Sequence, residues 1–155
     1  TDDYVSQLKA RAKNNSKIIF TDNQTGETLA QLYDNAYLFI QPSESEGLSL
    51  ALLEAMARGQ GVLVSDIAEN LAAIGSAGFS FKNKQVTDLV DQLQILLNQP
   101  ALVQAVGQQA KQRAIEFFNW DDIVKQLTVV YNKPTPCPQP RLTILLAPFK
   151  KVQIN

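Results

Sequence analysis

Two carboxylates, Glu46 and Glu54, could do chemistry, because they bracket the stretch of the chain whose composition and spacing are least ordinary. That stretch runs from Gln41 to Asp66 and reads QPSESEGLSLALLEAMARGQGVLVSD. It contains a turn, a helix between Gly47 and Gly59, a second turn and a strand. Within the helix, Leu48, Leu50, Ala51, Leu52, Leu53, Ala55, Met56 and Ala57 leave almost no polar face, so it is expected to be buried all round. Glu54 lies in the middle of it. An ionised carboxylate is rarely buried without a partner, because desolvation costs several kcal/mol or more, and Glu54 therefore requires one. Glu46 stands just before Gly47, eight positions upstream, which on a helix is a rise of about 12 Å. Two acids so placed could touch opposite ends of one extended, hydroxyl-rich ligand. The amides of Gly47, Leu48 and Ser49 are expected to form the helix N-terminus, which attracts phosphate through oriented N–H groups and the macrodipole.

Structural readings compete with each of these. Ser43-x-x-Glu46 also matches a capping box, and Glu54 has Arg58 four residues on, the favourable spacing for a helical ion pair. Thr21, Asp22 and Asn23 follow an apolar run and could meet a base or ribose, although polar residues there are ordinary loop formers. Ser65-Asp66 carries the same ambiguity. Phe117, Phe118 and Trp120 read as packing residues.

Composition narrows the chemistry further. The 155 residues are 45% hydrophobic and 19% charged, as in a globular domain. With 14 basic and 15 acidic residues and no segregation of charge, nucleic acid is not expected as a partner. The chain has no histidine, which removes Ser-His-Asp and Cys-His nucleophiles and histidine metal sites together. Acid or base work falls to carboxylates. One cysteine, Cys137, can form neither an internal disulfide nor a multi-cysteine metal site, and a reducing, cytoplasmic setting is expected. No signal peptide is read, and no apolar run approaches the roughly 20 residues that span a bilayer.

The elements that must position these residues alternate. Asp2 and Asp3 open a helix carrying Val5, Leu8 and Ala12 on one face. Lys17 to Phe20 reads as a short strand, Thr28 to Asn35 as a helix with Leu29, Leu32 and Tyr33 inward, and Ala36 to Ile40 as a buried strand. Val62 to Ser65 is apolar without alternation, as in a parallel sheet covered on both faces. A short helix from Ile67 to Ile74, a strand from Ala77 to Phe81 and three helices with apolar spacing over 86–97, 102–114 and 123–131 follow, the last capped by Asn119. Pro134 to Pro140 reads as a stiff linker, and Arg141 to Ala147 has strand composition. The rhythm argues α/β with a parallel sheet flanked by helices, in which ligands bind beyond the carboxyl ends of the strands. The expected division is a Rossmann-like domain over 1–132 and a Pro-rich extension over 133–155.

EGLSLALLEAMARG resembles the E-x7-E signature of retaining glycosyltransferases of family 4, usually written EGFGLxxLEAMAxGxPV. The likeness runs in register from about Asp2 to Tyr131, with IIF at 18–20, LAQLYDNAYLFIQPSESEG, VSDIAEN, AGFSF and FNW resembling further blocks. It implies a GT-B architecture, two Rossmann-like domains facing a cleft, with this chain as most of the C-terminal, nucleotide-sugar-binding one. It implies that Glu46 meets the donor sugar's hydroxyls as the catalytic-site acid, that Glu54 binds the ribose hydroxyls, and that the amides at Gly47, Leu48, Ser49 and Leu50 approach sugar and diphosphate. Thr21 and Asp22 join the expected donor-binding set. The nucleotide sugar is a substrate; no cofactor is expected, and no metal, since no DxD motif precedes a suitable strand. A peripheral place at the cytoplasmic membrane face is a further expected partnership.

Departures accompany the likeness. Leu48 and Ser49 replace Phe-Gly, Gly61 stands where proline is common, and Asp22 where glycine is. The family's first strand of this domain, with the Arg and Lys that clamp the diphosphate, and its acceptor-binding domain would precede Thr1, so the chain alone is expected to lack transferase activity. Two other readings stand beside this one: a non-catalytic fragment or interaction module keeping the fold, and an unrelated Rossmann-like nucleotide binder, which the absence of G-x-G-x-x-G disfavours.

Overall fold

The computed structural model describes residues 2–133. The chain divides into two compact units, Thr1–Asn119 and Trp120–Asn155. The Pro-rich linker and the strand expected over 141–147 lie outside the described residues.

In the first unit the elements follow as α1 (Asp2–Ala12), α2 (Gly26–Asp34), β1 (Phe39–Gln41), α3 (Leu50–Ala57), β2 (Val62–Ser65), α4 (Ala68–Ile74), β3 (Phe79–Phe81), α5 (Val86–Leu97) and α6 (Pro100–Phe117). The described part of the second unit is one helix, α7 (Trp120–Tyr131), with Asp121 and Asp122 in its first turn, where the helix dipole favours negative charge. The three strands form a parallel sheet in the order β1-β2-β3. The expected α/β fold, a parallel sheet flanked by helices, is the observed one.

β2 is the centre of the unit. Val62, Leu63, Val64 and Ser65 are all fully buried, as a run apolar on both faces requires when helices cover both sides. Val62 and Val64 face a core of Leu52, Ala55 and Met56 from α3, Ala73 and Ile74 from α4, and Ala110 and Ala114 from α6. Leu63 faces the other way, onto Phe81, Leu96 and Val103. The long helix α6 serves both layers, Val103 on one and Ala110 and Ala114 on the other.

The run Lys17–Phe20, expected as a strand, is not one. Ile18, Ile19 and Phe20 are exposed to 51%, 78% and 41%. A strand needs a neighbour to take its N–H and C=O groups, and among the described residues only β2 pairs with β1. Apolar β-branched composition alone therefore left this segment unpaired. Phe117 and Trp120, expected in packing, are exposed; Phe117 lies under the Arg113 guanidinium, 4.8 Å from its ring centre.

Candidate functional site

The carboxyl ends of the three strands put Gln41, Ser65 and Phe81 on one edge, and the loops that leave them are tied to one another. Asp66 N–H donates to the Phe81 carbonyl at 2.9 Å, and the Asp66 carboxylate accepts from the amide of Asn83 at 2.7 Å. Lys84 pairs with Glu44 at 3.1 Å. The loop after β1, residues 42–49, carries Glu46 and delivers the chain into α3.

The start of α3 differs from the expected one. The helix begins at Leu50, not Gly47, and Ser49 is its cap, in extended conformation (φ −72°, ψ 111°) and accepting the amide of Leu52 on its hydroxyl at 3.3 Å. A serine offers the side-chain acceptor that an N-cap needs and glycine does not, so the helix starts where the cap is. Ser43 and Glu46 lie upstream of this cap and form no capping box. The Ser43 hydroxyl donates instead to Glu46 Oε1 at 2.7 Å within the loop. The free amides of the helix N-terminus belong to Leu50 and Ala51, while Gly47 and Leu48 are exposed loop residues. Of this interval only Leu50 to Glu54 is helical, four residue steps and a rise of about 6 Å, so no rigid helix spans the two carboxylates.

Glu54 is exposed, which overturns the expectation of a buried acid. The face of α3 that is buried is Leu52, Ala55 and Met56; Leu50 is 64% exposed. Much of the helix's apolar circumference is alanine, which favours helix without demanding burial, and the desolvation argument for Glu54 therefore fails. Nor does Arg58 pair with it. Arg58 reaches Asp34 on α2 at 2.6 Å and lies over the Tyr33 ring. Among the described residues Glu54 has no ion pair. Its charge is felt at Tyr33, whose hydroxyl pKa is raised first by burial and then by the Glu54 carboxylate, with Arg58 pulling it back. The Tyr33 hydroxyl donates to the Ala51 carbonyl at 3.3 Å, fastening α2 to α3 beside Glu54.

Glu46 is half-buried. With one oxygen held by Ser43, the carboxylate keeps its second oxygen for other donors. Thr21 and Asp22 are exposed, and Asp22 takes a left-handed backbone conformation (φ 53°). Asp22 pairs with Lys9 of α1 at 3.5 Å, and the Thr21 carbonyl accepts from Gln24. The structure brings Glu46, Gly47, Leu48, Ser49, Leu50 and Glu54 together on one loop and the helix it feeds. No hydrogen bond or ion pair among the described residues joins Thr21 or Asp22 to that loop.

Sequence reasoning did not single out Gln41 or Asn70, two of the three residues that hold the loop, and read the third, Ser65, only as an ambiguous strand-end residue. All three are buried and polar, and all three are hydrogen-bonded. Their signal was an amide or hydroxyl at two strand ends and in an otherwise apolar helix turn. Among the described residues no group of acidic, cysteine or histidine side chains is placed to hold a metal ion. No helix among them is long and apolar enough to cross a membrane.

Comparison with known proteins gives a consistent result. The chain is 33% identical over 108 residues to a sulfoquinovosyl transferase of Arabidopsis thaliana, covering 66% of this chain and 21% of that protein. It is 31% identical over 122 residues to an MMP α-(1→4)-mannosyltransferase of Mycolicibacterium hassiacum, covering 76% of this chain and 30% of that one. It thus spans less than a third of the length of either relative. Among solved structures, a sucrose-phosphate synthase from Thermosynechococcus elongatus superposes with a TM-score of 0.74 at 25% identity, over 82% of this chain and 32% of that one. The structural neighbours are GT-B glycosyltransferases. Residues 1–113 match the model of the family described as glycosyl transferases group 1, and the chain belongs to that family.

Proposed function

We propose that this chain is the donor-binding part of a retaining glycosyltransferase that moves a hexose-type sugar from a nucleoside diphosphate sugar to an acceptor held elsewhere, in the cytoplasm or at the membrane's cytoplasmic face. On this reading Glu46 receives hydroxyls of the donor sugar. The amides from Gly47 to Leu50 approach sugar and diphosphate, Glu54 accepts the ribose hydroxyls, and Thr21 and Asp22 meet base or ribose. The observation that carries the reading is the placement of a held carboxylate and a free one on either side of the first turn of α3, at the carboxyl edge of a parallel sheet. That edge is where ligands of α/β sheets bind.

Transfer breaks the bond between the sugar's anomeric carbon and a diphosphate oxygen, and negative charge grows on the leaving diphosphate. Preorganised donors and cations stabilise such charge. The loop itself offers amides and carboxylates, and Lys84 at the same edge is paired with Glu44. The chain alone is therefore proposed to bind the donor without turning it over. The reading calls on neither a metal ion nor an organic cofactor.

Calorimetric titration of the intact protein with UDP-, GDP- and ADP-glucose tests it. At least one should bind, and Glu54→Gln should weaken that binding by about tenfold, the value of one hydrogen bond to a charged group. Binding of none of the three, or an affinity indifferent to Glu54→Gln, sinks the assignment.

A further inference from the structure

Gln41, Ser65 and Asn70 sit at 7%, 0% and 1% exposure, and buried amides persist only when their hydrogen bonds are made. Here they form one continuous path. The Asn70 amide donates to Ser65 Oγ at 3.0 Å and to the Ser65 carbonyl at 3.3 Å. Asn70 Oδ1 accepts from Gln41 Nε2 at 3.3 Å, and Gln41 Oε1 accepts from the Ser49 hydroxyl at 2.9 Å. The Ser65 hydroxyl donates to the Ser43 carbonyl, and Ser43 holds Glu46 at 2.7 Å.

The direction of every bond follows from one atom. The Ser65 carbonyl can only accept, so the NH2 of Asn70 must face it and Oδ1 must face Gln41. Gln41 then presents its own NH2 to Asn70 and its oxygen to Ser49. The Ser49 hydrogen is committed to Gln41, which leaves a lone pair aimed at the Leu52 amide. One amide on α4 thereby holds both ends of the loop 42–49, Ser43 through Ser65 and Ser49 through Gln41.

We infer that Asn70 is the positioning residue of the candidate site, fixing Glu46 and the first turn of α3 in one relation to each other. The inference rests on the donor-binding reading for its functional consequence and on the hydrogen-bond path for its geometry. Asn70 itself is buried and touches no ligand. Its effect should be largest on the grip on the sugar, where Glu46 and the loop amides both act, and smaller on the diphosphate, which meets the amides alone; Glu54 lies beyond the cap on a helix packed through Leu52, Ala55 and Met56.

The test uses the intact protein, with a nucleoside diphosphate and the matching diphosphate glucose as probes. The readout is the ratio of the two affinities, which a general loss of stability leaves unchanged. Asn70→Ala should reduce the advantage of the sugar-bearing probe by about tenfold, one hydrogen bond to a charged group, while the bare diphosphate loses affinity by a smaller factor. Glu46→Gln should do the same, and the double variant should be no worse than either single one, because both act on one interaction. Ser65→Ala, a smaller change should Asn70→Ala fail to fold, should reproduce the effect. Equal losses for both probes, no loss, or additive losses in the double variant overturn the inference. Should the wild type show no advantage for the sugar-bearing probe, the reading of Glu46 fails by itself, and the geometry is judged by hydrogen exchange. The amides of residues 43–52 must then exchange faster in Asn70→Ala or Ser65→Ala with those of α5 and α6 unchanged; unaltered exchange there overturns it.

Discussion

Substituting Gly107 by alanine asks how closely α6 approaches the turn that ends α3. That turn is closed by Gly59 in the left-handed region (φ 78°), whose N–H donates to the Met56 carbonyl at 2.9 Å while that of Gln60 donates to Ala55 at 3.1 Å. This is the pattern of a glycine-terminated helix. A Cβ on Gly107 would stand 2.2 Å from the Gly59 carbonyl oxygen, 2.9 Å from the Gly61 nitrogen and 3.0 Å from the Gln60 carbonyl carbon. An unforced carbon–oxygen contact is about 3.3 Å, so α6 would have to retreat by about 1 Å. A gap of that size forfeits up to about half of each dispersion contact it opens, at Val103 and Ala110 among others. Overpacking costs typically about 1–3 kcal/mol, and with backbone as the obstacle the upper end applies. Alanine returns about 1 kcal/mol of helix propensity, leaving a net loss of about 2 kcal/mol. For a unit of this size that lowers Tm by about 6–10 °C. Thermal unfolding of the intact protein measures it, with Ala105→Gly on the exposed face of α6 as a propensity yardstick of about 1 kcal/mol in the same helix. A Gly107→Ala variant as stable as the wild type, or more so, would refute the close approach.

Three further outcomes follow from the same structure. Ser49→Ala removes the cap of α3 and strands the Gln41 oxygen, and denaturant unfolding should show a loss of about 2–3 kcal/mol, largely restored in Ser49→Thr. Asp34→Asn breaks a pair whose side chains are 35% and 55% exposed, so the same measurement should find no more than about 0.5 kcal/mol, vanishing in high salt. Because the Tyr33 pKa is raised on folding, the neutral hydroxyl is favoured in the native state; the stability this contributes is complete below the ordinary tyrosine value of 10.0 and is lost as pH rises through the higher native value. Glu54→Gln removes one of the raising causes and should move the onset of Tyr33 phenolate absorbance to lower pH, measured against Tyr33→Phe; an unmoved onset would show that the Glu54 charge does not reach the ring.

What could be read from residues alone was whatever depends on a single period or a single apolar run. Val62–Ser65 was legible as a buried parallel strand because both of its faces are apolar, and α5 and α6 because their spacing repeats. Lys17–Phe20 was misread because pairing is a property of two segments. Glu54 was misread because a helix of leucine and alanine looks buried from every side, whereas alanine tolerates water. The start of α3 went astray because Gly47 opens the apolar run, yet the cap is the serine two residues later. The polar path through Gln41, Ser65 and Asn70 left only single polar residues at strand ends and in a helix turn as its trace, and not their connection, since its members come from β1, β2 and α4 and meet only in the fold.

On the proposed reading the two carboxylates would meet a ligand from different starting states. Glu46 is half-buried with one oxygen on Ser43, so much of its rotamer freedom is already lost on folding. Glu54 is exposed and free of ion pairs among the described residues, and ordering it on binding costs up to about 2 kcal/mol. Hydrogen bonds of equal geometry therefore contribute unequally to affinity. On the proposed reading, the preorganised acid discriminates among sugars by the placement of their hydroxyls, and the mobile one tolerates small shifts of the ribose. Sugar specificity should then respond to changes along the Asn70 path, and changes around Glu54 should alter affinity for every donor alike.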